Sequence, residues 1–95
     1  SGTYGELETG ATALAFASEG TSPTAGAFIP NRRDAKAAGA EVAFVVTDVQ
    51  AAFEAAVAAG AAPLVLPQQK PWGQVVAYVR DLDGFLVELC TEVTG

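Results

Sequence analysis

The sequence predicts an α+β fold built from β-α-β-β-β modules whose curved mixed sheets enclose a cavity, with one module complete and one partial. Three observations carry this reading. Residues 41–66 pass from the apolar run EVAFVV through a helical pattern to a second apolar run, PLVL. Residues 74–93, QVVAYVR-DLDG-FLVELCTEV, set two apolar runs around a polar turn, as a hairpin does. Residues 3–18, TYGELE-TG-ATALAFAS, repeat that hairpin pattern without the helix, which reads as an internal repeat lacking its first part.

Taken in order, residues 3–8 and 11–18 form the first hairpin, around the turn at residues 9–10. Residues 19–40 are rich in Gly, Pro, Ser and Ala without sustained periodicity and read as a linker between modules. EVAFVV is short, β-branched and aromatic, which suits a strand buried on both faces. Asp48 is the candidate N-cap of the helix that follows. Val49, Ala52, Phe53, Ala56 and Val57 then recur at helical spacing, with Gly60 as the stop. Residues 63–66 form the next strand, ended by Pro67, and the loop QQKPWG leads into the closing hairpin. The chain thus reads as one domain over residues 1–95: a partial first-module hairpin (1–18), a linker (19–40) and a complete module (41–95).

Bulk properties exclude several functions. The 95 residues are 51% apolar and 17% charged, a globular composition. The net charge of −6 argues against nucleic acid, which needs clustered Lys and Arg at its phosphates. No apolar run is long enough to cross a bilayer and no basic-then-apolar segment opens the chain, so neither a membrane span nor a signal peptide is expected. Cys90 is the single cysteine, which favours a reducing, cytoplasmic setting. There is no histidine, so a Ser-His-Asp triad, a Cys-His pair and every His-containing zinc site are excluded. Proton transfer would have to rest on Glu, Asp, Lys, Tyr or Cys90.

Two stretches resemble a known superfamily. EVAFVVTDVQAAFEAAVAAGA and KPWGQVVAYVRDLDGFLVEL are similar to the C-terminal half of vicinal-oxygen-chelate proteins, the group of glyoxalase I, bleomycin-resistance proteins and extradiol dioxygenases. YGELETGATALAFAS resembles the last two strands of the preceding module, so the likeness covers nearly the whole chain. It implies a strand, a helix and a further strand ahead of Thr3, and an open sheet that favours dimerisation or exchange of strands or modules between copies. In metal-dependent members the last strand of module two supplies a Glu, and Glu88 stands at that position. The first strand supplies a His, where this chain has Glu41. Leu14 and Phe16 fill the matching region of module one and cannot ligate a metal. Two carboxylates alone make a poor Zn²⁺ or Ni²⁺ site.

Alternation along FLVELC puts Leu86, Glu88 and Cys90 on one face, and the larger apolar Phe85, Val87 and Leu89 on the face toward the helix. Glu88 then lines the cavity, or is solvated or ion-paired across the hairpin with Arg80, or ligates a metal. Glu41 either joins Glu88 at the cavity or is solvated at its strand end. Two facing carboxylates would raise one pKa and attract a cation. Trp72 is an aromatic wall for a flat or cationic ligand, or a cap on the sheet core. Tyr4 and Tyr78 read as packing residues, Cys90 as an inert packed thiol, Arg32 and Arg33 as solvated linker residues, and DLDG as a hairpin turn rather than a calcium loop.

The resemblance and the residues together imply a metal-free, cofactor-free small-molecule binding protein of the bleomycin-resistance type. Its ligand would be aromatic or cationic, held at a homodimer interface by Glu88, Glu41, Trp72, Phe16 and Leu14. The alternatives are a metal-dependent glyoxalase-like lyase, isomerase or dioxygenase with Glu88 as ligand, and a non-catalytic fragment that folds by association.

Overall fold

The structure, a computed structural model, describes residues 4–9, 12–17, 26–27 and 29–93, the first two stretches through their backbone. The chain divides into two compact units, Ser1–Pro30 and Asn31–Gly95.

In the first unit, β1 (Tyr4–Thr9) pairs antiparallel with β2 (Thr12–Ala17). Leu14 and Phe16 stand at register positions opposite Leu7 and Gly5. The expected linker falls partly outside the described residues.

The second unit contains β3 (Glu41–Val45), α1 (Val49–Ala58), β4 (Ala62–Gln69), β5 (Val75–Arg80) and β6 (Leu86–Cys90). Its sheet runs in the order β3-β6-β5-β4, with β3 parallel to β6 and the other neighbours antiparallel. The α+β module expected from the sequence is therefore present as a four-stranded, open, mixed sheet carrying one helix.

The helix forms where its signals place it. Asp48 caps it, its carboxylate accepting from the Ala51 amide at 3.0 Å, a contact that contributes about 1 kcal/mol. At the other end the Gly60 amide donates to the Val57 carbonyl and the Ala61 amide to the Ala56 carbonyl, both at 3.0 Å. That double bond pattern needs a left-handed residue after the helix, and Gly60 supplies it at φ +111°. Val49 and Phe53 pack on Ala77, Val79 and Leu89, with Phe44, Val46, Val87 and Val75 around them. This cluster covers one face of the sheet; Glu41, Ala43, Val45, Tyr78, Arg80, Leu86 and Glu88 lie on the other, together with Val76 and Cys90, which are buried.

Two elements differ from expectation. β3 is exposed at Glu41, Ala43 and Val45 and half-buried at Val42 and Phe44, so it is covered on one face only. Its place at the edge of the order β3-β6-β5-β4 explains the alternation. β4 does not stop at Pro67 but runs to Gln69. It is the other edge strand, with register shifts between Pro63 and Val65 and between Val65 and Gln68. An edge strand with bulges tolerates a proline that has no amide to offer.

Candidate functional site

The closing hairpin sets the register of the site. The Gly84 amide donates to the Asp81 carbonyl at 2.9 Å and the Asp81 amide to the Phe85 carbonyl at 3.0 Å. The Asp81 carboxylate also accepts from the amides of Asp83 and Phe85, at 2.9 and 2.8 Å. DLDG is thus a hairpin turn, and its acidic side chain is used to close it. The Asp81–Phe85 bond closes the turn just ahead of the ladder, in which Arg80 pairs with Leu86, Tyr78 with Glu88 and Val76 with Cys90. On the other side of β6, Leu86 lies beside Glu41, Glu88 beside Ala43 and Cys90 beside Val45.

Three rows result across the face opposite the helix: Glu41-Leu86-Arg80, Ala43-Glu88-Tyr78 and Val45-Cys90-Val76. The half-buried Glu88 receives a hydrogen bond from the Tyr78 hydroxyl at 3.3 Å. Glu41 lies on the same face one row away, diagonal to Glu88 across β3 and β6. By register the two carboxylates share this face, with Glu41 exposed at the start of β3 and Glu88 half-buried. Tyr78, read from the sequence as a packing residue, is the hydrogen-bond donor to Glu88.

The charges act on one another. Loss of hydration pushes the Glu41 carboxyl above its ordinary value, and the neighbouring Glu88 pushes it further; the Tyr78 hydroxyl pulls it partly back. Tyr78 is likewise raised, by loss of hydration first and then by the charges of Glu88 and Glu41. Burial raises the Cys90 thiol, and Glu88 adds to the effect. Cys90 is buried and free, and its thiol points to the Phe44 carbonyl at 3.8 Å. It is a packed, protonated thiol.

A folded-state pKa raised above the unfolded value stabilises the fold while the group is protonated. That contribution is fully present below the ordinary Glu value of 4.5 and is lost as pH rises through the raised value. Wild type should therefore lose stability relative to Glu41→Gln as pH goes from about 4 to about 7. Denaturation midpoints of both proteins measure this; a constant difference across that range contradicts the coupling.

Arg80 does not pair with Glu88. Its Nε and Nη2 donate to the Gly84 carbonyl at 2.9 and 2.7 Å, Nη2 donates to the Arg32 carbonyl at 3.0 Å, and Nη1 donates to the Ala35 carbonyl. The register explains this: Arg80 lies one row from Glu88, beside the turn and residues 32–35. Arg33 is exposed and donates to the Gly60 carbonyl at 3.2 Å.

Trp72 stands apart from the carboxylates, in the turn between β4 and β5. The Gly73 amide donates to the Lys70 carbonyl at 2.8 Å and the Lys70 amide to the Gln74 carbonyl at 2.7 Å. The indole is 58% exposed, which does not fit a cap on the sheet core. Its N–H donates to Gln74 at 2.8 Å, and the Gln74 amide in turn donates to the Thr91 carbonyl at 2.9 Å. The ring is thus held in place with its face available. Beside it an open depression of about 420 Å³ is lined by Val45, Val46, Thr47, Gly73, Thr91 and Glu92. The carboxylate pair lies outside that lining. Among the described residues no three His, Cys, Asp or Glu side chains converge as a metal centre requires. Two carboxylates without nitrogen or thiolate donors do not fit a Zn²⁺ or Ni²⁺ site. No helix among the described residues is long and apolar enough to cross a membrane.

Residues 1–89 match the sequence profile of the Glyoxalase/Bleomycin resistance protein/Dioxygenase superfamily. Among solved structures, TioX from Micromonospora sp. ML1 is similar at 28% identity and a TM-score of 0.59, over 98% of this chain and 69% of that one. Comparison with curated proteins gives no significant match.

Proposed function

This chain belongs to the Glyoxalase/Bleomycin resistance protein/Dioxygenase superfamily, and we propose that it binds a cationic or aromatic small molecule at the carboxylate-bearing end of the sheet face opposite the helix, without a metal and without chemistry. The observation that carries the reading is the Glu41-Tyr78-Glu88 group, set on a face whose strands hold a single cation, Arg80, already occupied by carbonyls. A basic group docks at the carboxylates, where Tyr78 orients Glu88 and the ligand's charge replaces the missing counter-ion. Trp72 and the depression beside it take the flat or apolar part of the ligand. Strand rise separates the Glu41 and Cys90 rows by about 13 Å, so the ligand is elongated. The sheet leaves β3 and β4 as edges and Val45, Leu64 and Leu66 exposed, which favours a groove completed by a second copy of the chain. The buried free thiol of Cys90 suits a reducing compartment.

The test is a titration of Trp72 fluorescence with a panel of aromatic amines, amidines and neutral aromatics, paired with metal analysis of the purified protein. Trp72 is the single tryptophan, so the signal reports this site alone. Quenching or a spectral shift with the flat cations, in protein free of metal, is the expected result. A flat response across the panel, or stoichiometric Ni²⁺, Zn²⁺ or Mn²⁺, overturns the proposal.

A further inference from the structure

We propose that Arg80 is a positioning residue for the carboxylate pair, acting through the chain segment that leads into β3 rather than by touching either carboxylate. Its importance rests on the binding reading above, but its geometry does not. Arg80 lies on the same sheet face as Glu41, in the same row, with Leu86 between them. Tyr78 reaches Glu88 from β5, and Cys90 stands beside Glu88 on the same face of β6. A guanidinium on this face has two acceptors of opposite charge within a row of it, yet it serves three neutral carbonyls, those of Gly84, Arg32 and Ala35.

This choice has two effects. The first is a clamp. A planar donor fork holds residues 32 and 35 against the hairpin turn, as a point-charge ammonium does not. The segment gains two further ties, from Arg33 to the Gly60 carbonyl at 3.2 Å and from the Ala38 amide to the Asn31 side chain at 3.3 Å. The chain then enters β3 at Glu41 from a fixed start. The second effect is electrostatic: the one cation of the strands is kept off the carboxylates, which leaves their charge for a ligand.

The experiment is a carboxyl-carbon NMR titration of Glu41 and Glu88 in the full chain, for wild type, Arg80→Met and Arg80→Lys, with amide exchange over residues 32–38 as a monitor. Removing a nearby positive charge would by itself raise a carboxyl pKa; releasing Glu41 from its place beside Glu88 lowers it. The sign therefore separates positioning from direct electrostatics. The expected result is a downward shift of about half a pH unit or more for Glu41 in Arg80→Met, with faster exchange over 32–38. Arg80→Lys, which lacks the fork, is expected to recover less than half of it. An unchanged or raised Glu41 titration in folded Arg80→Met overturns the proposal. If Arg80→Met does not fold, Arg80→Lys decides alone, by the same sign. A flat response to the fluorescence panel alongside the downward shift would remove the binding reading and leave the clamp standing.

Discussion

Replacing Gly84 with alanine is expected to lower the stability of the second unit by about 3 kcal/mol, a fall of about 12–24 °C in thermal midpoint for a domain of this size. Two costs add. Gly84 has φ +90°, where an L side chain costs about 1–2 kcal/mol. A Cβ at this position would also lie 2.6 Å from the Arg32 carbonyl oxygen and 2.7 Å from its carbon, both backbone atoms that cannot swing aside. Either the turn or residues 32–33 must move. Movement weakens the bonds from Arg80, because two of its acceptors are the Gly84 and Arg32 carbonyls. Gly84→Ala should therefore unfold earlier and also lower the Glu41 titration. A loss below about 1 kcal/mol, with Glu41 unchanged, would contradict this account.

Phe53→Ala should destabilise by a similar or larger amount for a different reason. Phe53 is 6% exposed at the centre of the contact between helix and sheet, against Val49, Ala77, Val79 and Leu89. Truncating a buried Phe to Ala costs about 3–5 kcal/mol, through lost burial and the cavity left behind. Phe53→Leu, which refills most of the space, should cost less than about 1.5 kcal/mol. Both losses are read from chemical denaturation. Phe53 lies on the helix side of the sheet, so Phe53→Ala should leave the Glu41 titration where it is in the folded protein. Two variants of comparable cost are thus told apart by whether the carboxylates respond.

Much of the fold was legible because its signals are local. Asp48, the 3.6-residue spacing of Val49, Phe53 and Val57, and Gly60 define the helix without reference to anything distant. The alternation in FLVELC correctly separates Glu88 from Val87 and Leu89, which needs only the period of a strand. Register is where local reading gave out. Taking DLDG as a four-residue loop places Phe85 opposite Arg80, and by the same count Val87 opposite Tyr78. The structure closes the loop one residue earlier on the Asp81 side, pairing Asp81 with Phe85, and Tyr78 then faces Glu88. A slip of one residue moves every cross-strand partner. The left-handed Gly84 and the Asp81 carboxylate on the Phe85 amide are the signals that fix it, and both require the turn's backbone geometry.

Arg80 escaped for a related reason. Its partners are main-chain carbonyls, one in the adjacent turn and two 45 and 48 residues away, and carbonyls carry no sequence signature. An opposite charge nearby in the sequence is an easier partner to see than a carbonyl that is nearby only in space. The both-faces burial expected of EVAFVV failed because β-branched runs say that a strand is present, not whether it lies at the centre or the edge.

The central proposal is that Glu41, Tyr78 and Glu88 act as one cation-recognising group on the sheet face opposite the helix. Calorimetric titration of benzamidine into wild type and Glu88→Gln at neutral pH tests it most directly. Losing one member of a charge-assisted contact is worth about 1.5–3 kcal/mol, so binding should weaken by about tenfold or more in Glu88→Gln while the protein stays folded. Equal affinity for the two proteins, or no binding by wild type, would contradict it.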